Sequence, residues 1–336
     1  MNNRTIIIAE AGVNHNGSIK IAKKLIDAAA KAGADYVKFQ TFKASEMVTN
    51  YASLAEYQKK NFSKKLKQLE LLKSLELSEK DHFILIKYCK KKKIKFLTTA
   101  FDDVSLKFIK KIKSKVVKIP SGEITNYNYL KTVASFNKKI ILSTGMSTIA
   151  EIKGALRTLK KYGAKKNKIT ILHCSTQYPV PKENINMRAM QTIKKLFDTE
   201  VGYSDHSTGI LVPIVAVANG ASIIEKHLTL DKKMKGPDHS ASIEPNEFIE
   251  MVKEIRDVEM ILGSSQKIPS VDEKKNLLVA RKFIVAKEDI KKGDILSLNN
   301  IAFKRTGTKG ISPMDWKKIN RIKSNKNYKK DQLIKL

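Results

Sequence analysis

The sequence predicts a closed TIM (β/α)8 barrel followed by a small β-rich domain. Short β-prone runs alternate with amphipathic helical runs, which is the order of a parallel sheet built from βα units. Eight such units fit within residues 1–265, which is the size that a barrel of this kind requires. An open doubly wound sheet is the alternative, but no glycine-rich phosphate loop follows the first β-prone run.

The first βα unit shows how each unit is recognised. A helix follows the β-prone run, with Ser18 as its N-cap, apolar residues three and four positions apart on one face, and Gly33 as its stop. Two later helices begin at the capping boxes Ser78–Asp81 and Thr148–Glu151. The eight predicted strands are Thr5–Ala11, Asp35–Thr41, Lys95–Ala100, Lys115–Pro120, Lys139–Ser143, Lys168–His173, Glu200–Tyr203 and Ser222–Glu225.

The repeating pattern is interrupted once and then ends. Phe42–Leu75 is a polar segment with helical tracts but weak periodicity. It is too long for an ordinary connection and predicts a functional excursion over one end of the sheet. The last barrel helix begins at Glu244 and stops at Gly263. We therefore expect the barrel in residues 1–265, a linker in 266–279 and the small domain in 280–336. A domain of that size is marginal alone, so we expect it to pack on a barrel.

Cysteine usage and hydropathy exclude several protein classes. The chain of 336 residues has two cysteines and no CxxC pair, which argues against a disulfide framework and a thiolate zinc site. Its apolar start, Thr5–Ala9, is too short for a signal-peptide core. No apolar run approaches the length of a membrane span. We expect a cytoplasmic protein that has no membrane partner.

The formal net charge is +32, which could indicate a nucleic acid, an anionic lipid or an anionic substrate. Lysine runs such as Lys90–Lys93 lie on predicted helices. They lack the interleaved aromatic residues of a single-strand platform, and no nucleic-acid module is recognisable. We expect solvated helix faces and no nucleic-acid partner. A basic nucleic-acid-binding protein is the alternative, and salt-dependent retention on nucleic acid would reveal it.

Polar side chains lie at or just beyond the C-terminal end of every predicted strand, where TIM barrels carry their chemistry. A barrel rim without function has no reason to carry lysines and carboxylates at so many ends. The pattern therefore predicts an active site. In strand order, these residues are Glu10, Asn14 and His15; Lys38 and Gln40; Thr98 and Thr99; Lys118, Ser121 and Glu123; Ser143 and Thr144; His173; Ser204 and His206; and Glu225 and His227.

Two of these residues predict a metal site. His206 and His227 follow strands seven and eight, which a closed barrel places side by side. Two imidazoles are suited to a divalent transition metal. With no third ligand at an obvious spacing, water and a substrate oxygen would complete the coordination of an open, Lewis-acid site. The alternative is a pair of unrelated, hydrogen-bonded core histidines.

The lysines at strands two and four predict an anion site. Lys38 and Lys118, with the hydroxyls of Ser121, Ser143 and Ser204, would suit a phosphate and a carboxylate. In the alternative, both lysines lie on the outer face and extend their ammonium groups to solvent. Three carboxylates are acid/base candidates: Glu10, Glu123 and Asp238.

Eight short motifs, in order along the chain, resemble those of the sialic acid synthase family. They are Ile8–Gly17, Val37–Phe42, Lys118–Glu123, Leu142–Met146, Leu172–Pro179, Tyr203–His206, Ile224–His227 and Gly236–His239. The C-terminal region, with Lys291–Gly293, Phe303–Arg305 and Gly310–Pro313, is similar to that family's antifreeze-like (SAF, β-clip) domain. The resemblance implies a TIM barrel joined to this domain in a domain-swapped homodimer. It also implies condensation of phosphoenolpyruvate with an N-acetylated hexosamine aldehyde.

The resemblance also implies residue roles. A divalent metal, with manganese expected and magnesium or cobalt as alternatives, would bind His206 and His227. Glu10 and Glu123 would lie at the reacting centre, without a division of their roles. The implied phosphoenolpyruvate contacts are Lys38, Thr99, Lys118, Ser121, Ser143 and Ser204, and the implied sugar contacts are Thr176, Tyr178 and Asp238. Arg305 of the partner's small domain would reach the sugar's N-acetyl end.

Two acceptors remain open at this point. We expect an N-acetylneuraminate synthase that uses N-acetylmannosamine. The alternative is an N,N'-diacetyllegionaminate or pseudaminate synthase that uses a diacetamido-trideoxyhexose. The discriminating contacts should lie in Phe42–Leu75, in the small domain and around Thr176, which stands where some family members have Asn. A metal-dependent pyruvate aldolase is a third candidate, but it would leave Lys38 and Lys118 with no phosphate to bind.

Overall fold

The structure, a computed structural model, describes residues 4–53 and 67–335. It confirms the predicted TIM barrel. Eight parallel strands close in chain order, and the eighth pairs with the first. The strands are β1 Ile6–Gly12, β2 Tyr36–Thr41, β3 Lys95–Ala100, β4 Val116–Ile119, β5 Lys139–Ser143, β6 Ile169–Cys174, β7 Glu200–Asp205 and β8 Ile223–His227.

Helices follow the strands and cover the barrel with their apolar faces. Ser18 caps α1 by accepting from the backbone N–H of Ile21, and the predicted capping boxes at Ser78 and Thr148 are present. The helices are α1 Ile19–Lys31, α2 Ala44–Met47, α3 Gln68–Leu75, α4 Glu79–Lys91, α5 Asp103–Lys111, α6 Tyr127–Ser135, α7 Ile149–Lys161, α8 Arg188–Phe197, α9 Leu211–Ala218 and α10 Pro245–Leu262.

Strands β7 and β8 extend two residues further than the sequence predicted, to Asp205 and His227. The predicted strands ended at Tyr203 and Glu225, because the charged and polar residues that follow are more typical of a loop. Here these residues stay in the ladder, where Asp205 pairs in register with Lys226 and Glu10 with His227. His227 is therefore held by a strand.

The predicted excursion, Phe42–Leu75, contains α2 and α3. Together with Val13 and Phe42, the buried side chains of α3 form an apolar cluster of their own. The sequence indicated a polar segment, but α3 buries Leu71, Leu72 and Leu75. The part of the excursion at 54–66 lies outside the described residues.

Contacts divide the chain into two compact units, and the division falls after Gly263. The second unit has a core of its own, which includes Ile284 and Tyr328. The expected linker, 266–279, contains most of two short helices. The elements of this unit are α11 Val271–Lys275, α12 Leu277–Ala280, the antiparallel pair β9 Lys282–Ala286 and β10 Ile301–Arg305, and α13 Trp316–Ile319. None of the described helices is long and apolar enough to cross a membrane.

Candidate active site

A cavity of about 260 Å³ opens at the C-terminal end of the barrel. Side chains from all eight strands or the loops that follow them contribute to its wall, so closure of the barrel brings together residues far apart in sequence. The predicted site residues that line it are Glu10, Lys38, Thr99, Lys118, Ser121, Ser143, Thr176, Tyr178, Ser204, His206, His227 and Asp238.

Strand alternation explains why these polar residues point inward. Ile8, Leu97 and Val116 belong to an apolar cluster that fills the barrel interior. The residues two positions further along those strands are Glu10, Thr99 and Lys118. Because side chains of a strand alternate between its faces, they point to the same side one layer higher, at the cavity. Lys38 and Lys118 are thus interior and buried, and the outer-face alternative for these lysines is not what the structure shows.

Two lysines and two carboxylates form an ion-pair network in the cavity. Lys38 Nζ lies 2.5 Å from Glu10 Oε2 and 3.7 Å from Glu225 Oε2. Lys118 donates to Glu225 Oε1 at 2.9 Å, and Ser204 donates to the same oxygen at 3.0 Å. Glu225 thus links both lysines. The sequence placed it at a strand end without a role, although its position two residues before His227 indicates the same inward face.

The two carboxyl groups titrate in opposite directions. Burial raises the pKa of Glu10 to about 7, against the attraction of Lys38. Burial also opposes the charge of Glu225, but Lys118 and Lys38 together outweigh it and lower the pKa of Glu225 to about 2. At neutral pH Glu225 is ionised, whereas Glu10 exchanges a proton readily. The network therefore holds positive charge for an anionic ligand and one carboxyl suited to proton transfer.

The two predicted metal ligands lie side by side. The ring centroids of His206 and His227 are 5.4 Å apart, and each residue is 6% exposed. Nδ1 of His206 donates to the carbonyl oxygen of Ser175. This leaves the lone pair on Nε2, which lies 3.2 Å from the hydroxyl of Tyr178. Nδ1 of His227 is buried and has no hydrogen-bond partner among the described residues.

This arrangement fits a divalent metal. Burial lowers the pKa of His206 to about 4 and that of His227 well below its ordinary value. Both imidazoles are therefore neutral, which is the form that binds a metal. Within residues 4–53 and 67–335, no group of three or more His, Cys, Asp or Glu side chains is arranged to hold a metal ion. Two imidazoles alone would leave the other positions to water and substrate, as in an open catalytic site.

Hydroxyl and carboxyl groups line the rest of the polar wall. Ser121 Oγ accepts from the backbone N–H of Gly145 at 2.9 Å. A Cβ at Gly145 would lie 2.5 Å from a methyl carbon of Thr176, so this close approach requires glycine. Ser143 Oγ is buried, and no residue in the part of the chain that the structure describes forms a hydrogen bond with it, so it is available to a ligand. Burial raises the pKa of Asp238 to about 6.

Several predicted site residues do not line this cavity. Among the described residues, the strand-end residues Asn14, His15, Thr98, Thr144 and His173 are not part of its wall, and neither is Glu123. It lies in a short 3₁₀ turn, where its carboxylate accepts from Asn126 at 2.7 Å, and burial raises its pKa. Arg305 is exposed at the end of β10 in the second unit. The roles expected of Glu123 and Arg305 stay predictions.

One side of the cavity is apolar, which the sequence did not reveal. Three of its side chains, Leu71, Leu72 and Leu75, come from α3, and Met47 comes from α2. The expectation that the excursion carries acceptor contacts therefore has concrete candidates. The apolar residues on this side are Val13, Met47, Leu71, Leu72, Leu75 and Phe101.

The profile of the NeuB family matches residues 25–267, and that of the SAF domain matches residues 281–336. The chain belongs to the NeuB family. It is 50% identical over 332 residues to an N,N'-diacetyllegionaminic acid synthase of Campylobacter jejuni, and the match covers 99% of both chains. The enzyme of the same name from Legionella pneumophila is 46% identical over 311 residues, which cover 92% of this chain and 87% of that one.

A solved structure adds to these similarities of the NeuB-family chain. The N-acetylneuraminic acid synthetase of Leptospira borgpetersenii, in complex with citrate, superposes with a TM-score of 0.72 at 35% identity and covers 82% of this chain and 91% of its own. The expected family and the barrel with its SAF domain are confirmed. So is the enzyme class: this NeuB-family protein is a synthase of the sialic acid synthase type.

Proposed function

We propose that this NeuB-family enzyme condenses phosphoenolpyruvate with a 2,4-diacetamido-2,4,6-trideoxyhexose to give N,N'-diacetyllegionaminic acid and phosphate. The observation that carries the proposal is 50% identity, over 99% of both chains, to a synthase of that product. The sequence led us to expect N-acetylmannosamine as acceptor. The relatives support the alternative acceptor better than that expectation.

The two-sided cavity is consistent with this acceptor. Phosphoenolpyruvate is an anion, which suits the side with Lys38 and Lys118. A trideoxy sugar with a second acetamido group presents methyl groups to the apolar side around Leu72 and Met47. N-acetylmannosamine would present hydroxyls instead. Burying a hydroxyl without a partner costs about 1–3 kcal/mol, so the apolar side favours the deoxy sugar.

The chain's own groups have distinct parts in the proposed reaction. Lys38 and Lys118 hold the carboxylate and phosphate of phosphoenolpyruvate, and Ser143 donates to the same ligand. Ser204, whose hydroxyl proton serves Glu225, keeps that carboxylate beside the lysines. They keep C3 of phosphoenolpyruvate directed at the acceptor aldehyde, where the new carbon–carbon bond forms. The aldehyde oxygen becomes a hydroxyl by taking the proton that Glu10, with a pKa of about 7, holds beside the bound anion. Water then adds at C2 and returns one proton to Glu10. The tetrahedral intermediate collapses to the ketone as phosphate leaves with the second proton.

The chain offers His206 and His227 to a divalent metal, with manganese as the expected ion. Bound there, the metal would supply Lewis-acid polarisation of the acceptor's aldehyde oxygen. The histidines are fitted to this task because both are neutral, and one is oriented by Ser175. Tyr178 and Asp238, at the same cavity, are positioned to contact the acceptor.

The decisive experiment measures phosphate release from phosphoenolpyruvate in the presence of Mn²⁺. It compares 2,4-diacetamido-2,4,6-trideoxymannose with N-acetylmannosamine. A larger kcat/KM for the diacetamido sugar is the expected result, with N,N'-diacetyllegionaminic acid identified by mass spectrometry. A larger kcat/KM for N-acetylmannosamine would restore the N-acetylneuraminate assignment. No release with either acceptor would overturn the condensation itself.

A further inference from the structure

A fully buried ion pair lies behind the two histidines, on the outer side of the barrel wall. Asp205 of β7 and Lys226 of β8 have 0% exposed side chains, and their Oδ2 and Nζ atoms are 2.5 Å apart. Because Glu225 and His227 face the cavity, strand alternation turns Lys226, which lies between them, outward. The ion pair therefore lies outside the cavity, beneath the helices that cover the barrel.

This ion pair fixes the backbone on both sides of His206. Lys226 Nζ donates to the carbonyl oxygen of Ser207 at 2.5 Å. Asp205 Oδ1 accepts from the backbone N–H of Ser207 at 2.9 Å. Since His206 lies between Asp205 and Ser207, both of its neighbours are bound to Lys226 directly. Lys226 also precedes His227, so one side chain connects the backbone that carries both imidazoles.

The location of the pair argues for a task beyond stability. The outer faces of parallel strands in such barrels are ordinarily Val-, Ile- and Leu-rich. A buried ion pair there loses hydration that its attraction only partly repays, and well-packed apolar residues are often equally stable. The pair does provide directional hydrogen bonds to one loop, Asp205–Ser207, which an apolar pair would not provide.

We propose that Lys226 and Asp205 are positioning residues that hold His206 at the correct distance from His227 and thereby set the affinity of the site for a divalent cation. The proposal rests on the metal site of the proposed function. Outer-shell partners of metal ligands commonly change metal affinity by about 10- to 100-fold when they are removed. Here the outer shell acts through the backbone that carries the ligand rather than through its ring.

The test uses a charge-free pair, Lys226→Met with Asp205→Asn, so that no buried charge is left unpaired. The asparagine oxygen can still accept from Ser207 N–H, which preserves the local turn. The matched control is Lys92→Met with Asp27→Asn, which removes an ion pair of 2.7 Å among the outer helices. Free Mn²⁺ is measured by electron paramagnetic resonance, without substrates, on the purified full chain, and circular dichroism verifies folding.

We expect the Kd for Mn²⁺ to rise about 10- to 100-fold in the double variant and to stay within twofold of wild type in the control. Under saturating Mn²⁺, the KM for phosphoenolpyruvate should be unchanged, because the lysine network is intact. A folded double variant with wild-type Mn²⁺ affinity would overturn the proposal. If the double variant does not fold, Lys226→Arg provides the test, because it keeps a positive charge beside Asp205 while its planar guanidinium does not reproduce the ammonium bond to the carbonyl oxygen of Ser207. A wild-type Kd for Mn²⁺ in that variant would also overturn the proposal.

The outcomes separate this proposal from the assigned reaction. Wild-type protein that binds no Mn²⁺ overturns both the metal site and the positioning role. Wild-type protein that binds Mn²⁺ but turns over neither acceptor overturns the proposed reaction, while the affinity comparison still decides the role of Lys226 and Asp205.

Discussion

Lys38 and Glu10 form a salt bridge of 2.5 Å at the ends of neighbouring strands, with both side chains almost completely buried. Lys38 does not keep Glu10 fully ionised at neutral pH, because burial raises the pKa of Glu10 to about 7 in spite of the lysine. Phosphoenolpyruvate would bring further negative charge to Lys38 and would favour the protonated carboxyl still more. The salt bridge therefore couples anion binding to the proton of Glu10.

The raised pKa of Glu10 has a defined effect on stability. The folded carboxyl keeps a proton that the unfolded chain, with an ordinary pKa of 4.5, releases. This stabilising contribution is fully present below pH 4.5 and is lost as the pH rises through 7. Urea unfolding should show the free energy of unfolding of wild type falling relative to Glu10→Gln between pH 5 and 8. Glu250→Gln, at an exposed position, is the control. If the difference in free energy of unfolding between wild type and Glu10→Gln does not change with pH, the raised pKa of Glu10 is wrong.

Glu225 should be the most sensitive carboxylate of the network. Glu225→Gln removes the charge that holds Lys118 and leaves that ammonium group buried without its partner. Breaking a buried pair in this way costs about 3–5 kcal/mol, and we expect a loss of free energy of unfolding towards the lower end, because Ser204 can still bind the amide. Denaturant unfolding measures it. Asp272→Asn, which breaks an exposed pair with Lys275, should change nothing measurable.

The sequence predicted the barrel and most of the cavity because both depend on patterns that are local. Lys38, Lys118 and His206 were predicted from their positions at strand ends. Closure of the barrel then brings these strand ends together in one cavity. Glu225 was seen but received no role, since its importance depends on its partners across the barrel. The apolar wall of α3 was missed, because its leucines lie in a segment with weak periodicity and acquire their function only through packing.

Metal binding should depend on His206 and His227 and not on a histidine outside the cavity. His206→Ala or His227→Ala should abolish both Mn²⁺ binding and phosphate release while circular dichroism stays unchanged. The control is His173→Gln, at a residue outside the cavity whose ring donates to the carbonyl oxygen of Ile185, a bond that glutamine can replace. Full metal-supported turnover in either alanine variant would refute the metal assignment.

The apolar wall should set acceptor preference. Met47 is the wall residue whose replacement disturbs packing least, because it is 36% exposed. In Met47→Gln, the ratio of kcat/KM for the diacetamido-trideoxy sugar to that for N-acetylmannosamine should fall, by roughly tenfold for one lost apolar contact. Met260→Gln, an exposed change at the far end of α10, provides the control. An unchanged ratio would remove Met47 from acceptor recognition.

Arg305 tests the expected domain-swapped homodimer. If Arg305 of the partner's small domain completes each site, Arg305→Ala should raise the KM for the sugar far more than that for phosphoenolpyruvate.

Mixing refolded Arg305→Ala and His206→Ala chains tests whether the arginine comes from the partner. In the swapped arrangement, each hybrid dimer has one intact site, which combines His206 of one chain with Arg305 of the other. Because random pairing makes about half of the dimers hybrids, the mixture should recover roughly a quarter of wild-type activity. If both residues serve the same chain's site, every site in the mixture lacks one of them. The mixture should then show no gain over the sum of its parts, and such a result would exclude the swapped arrangement.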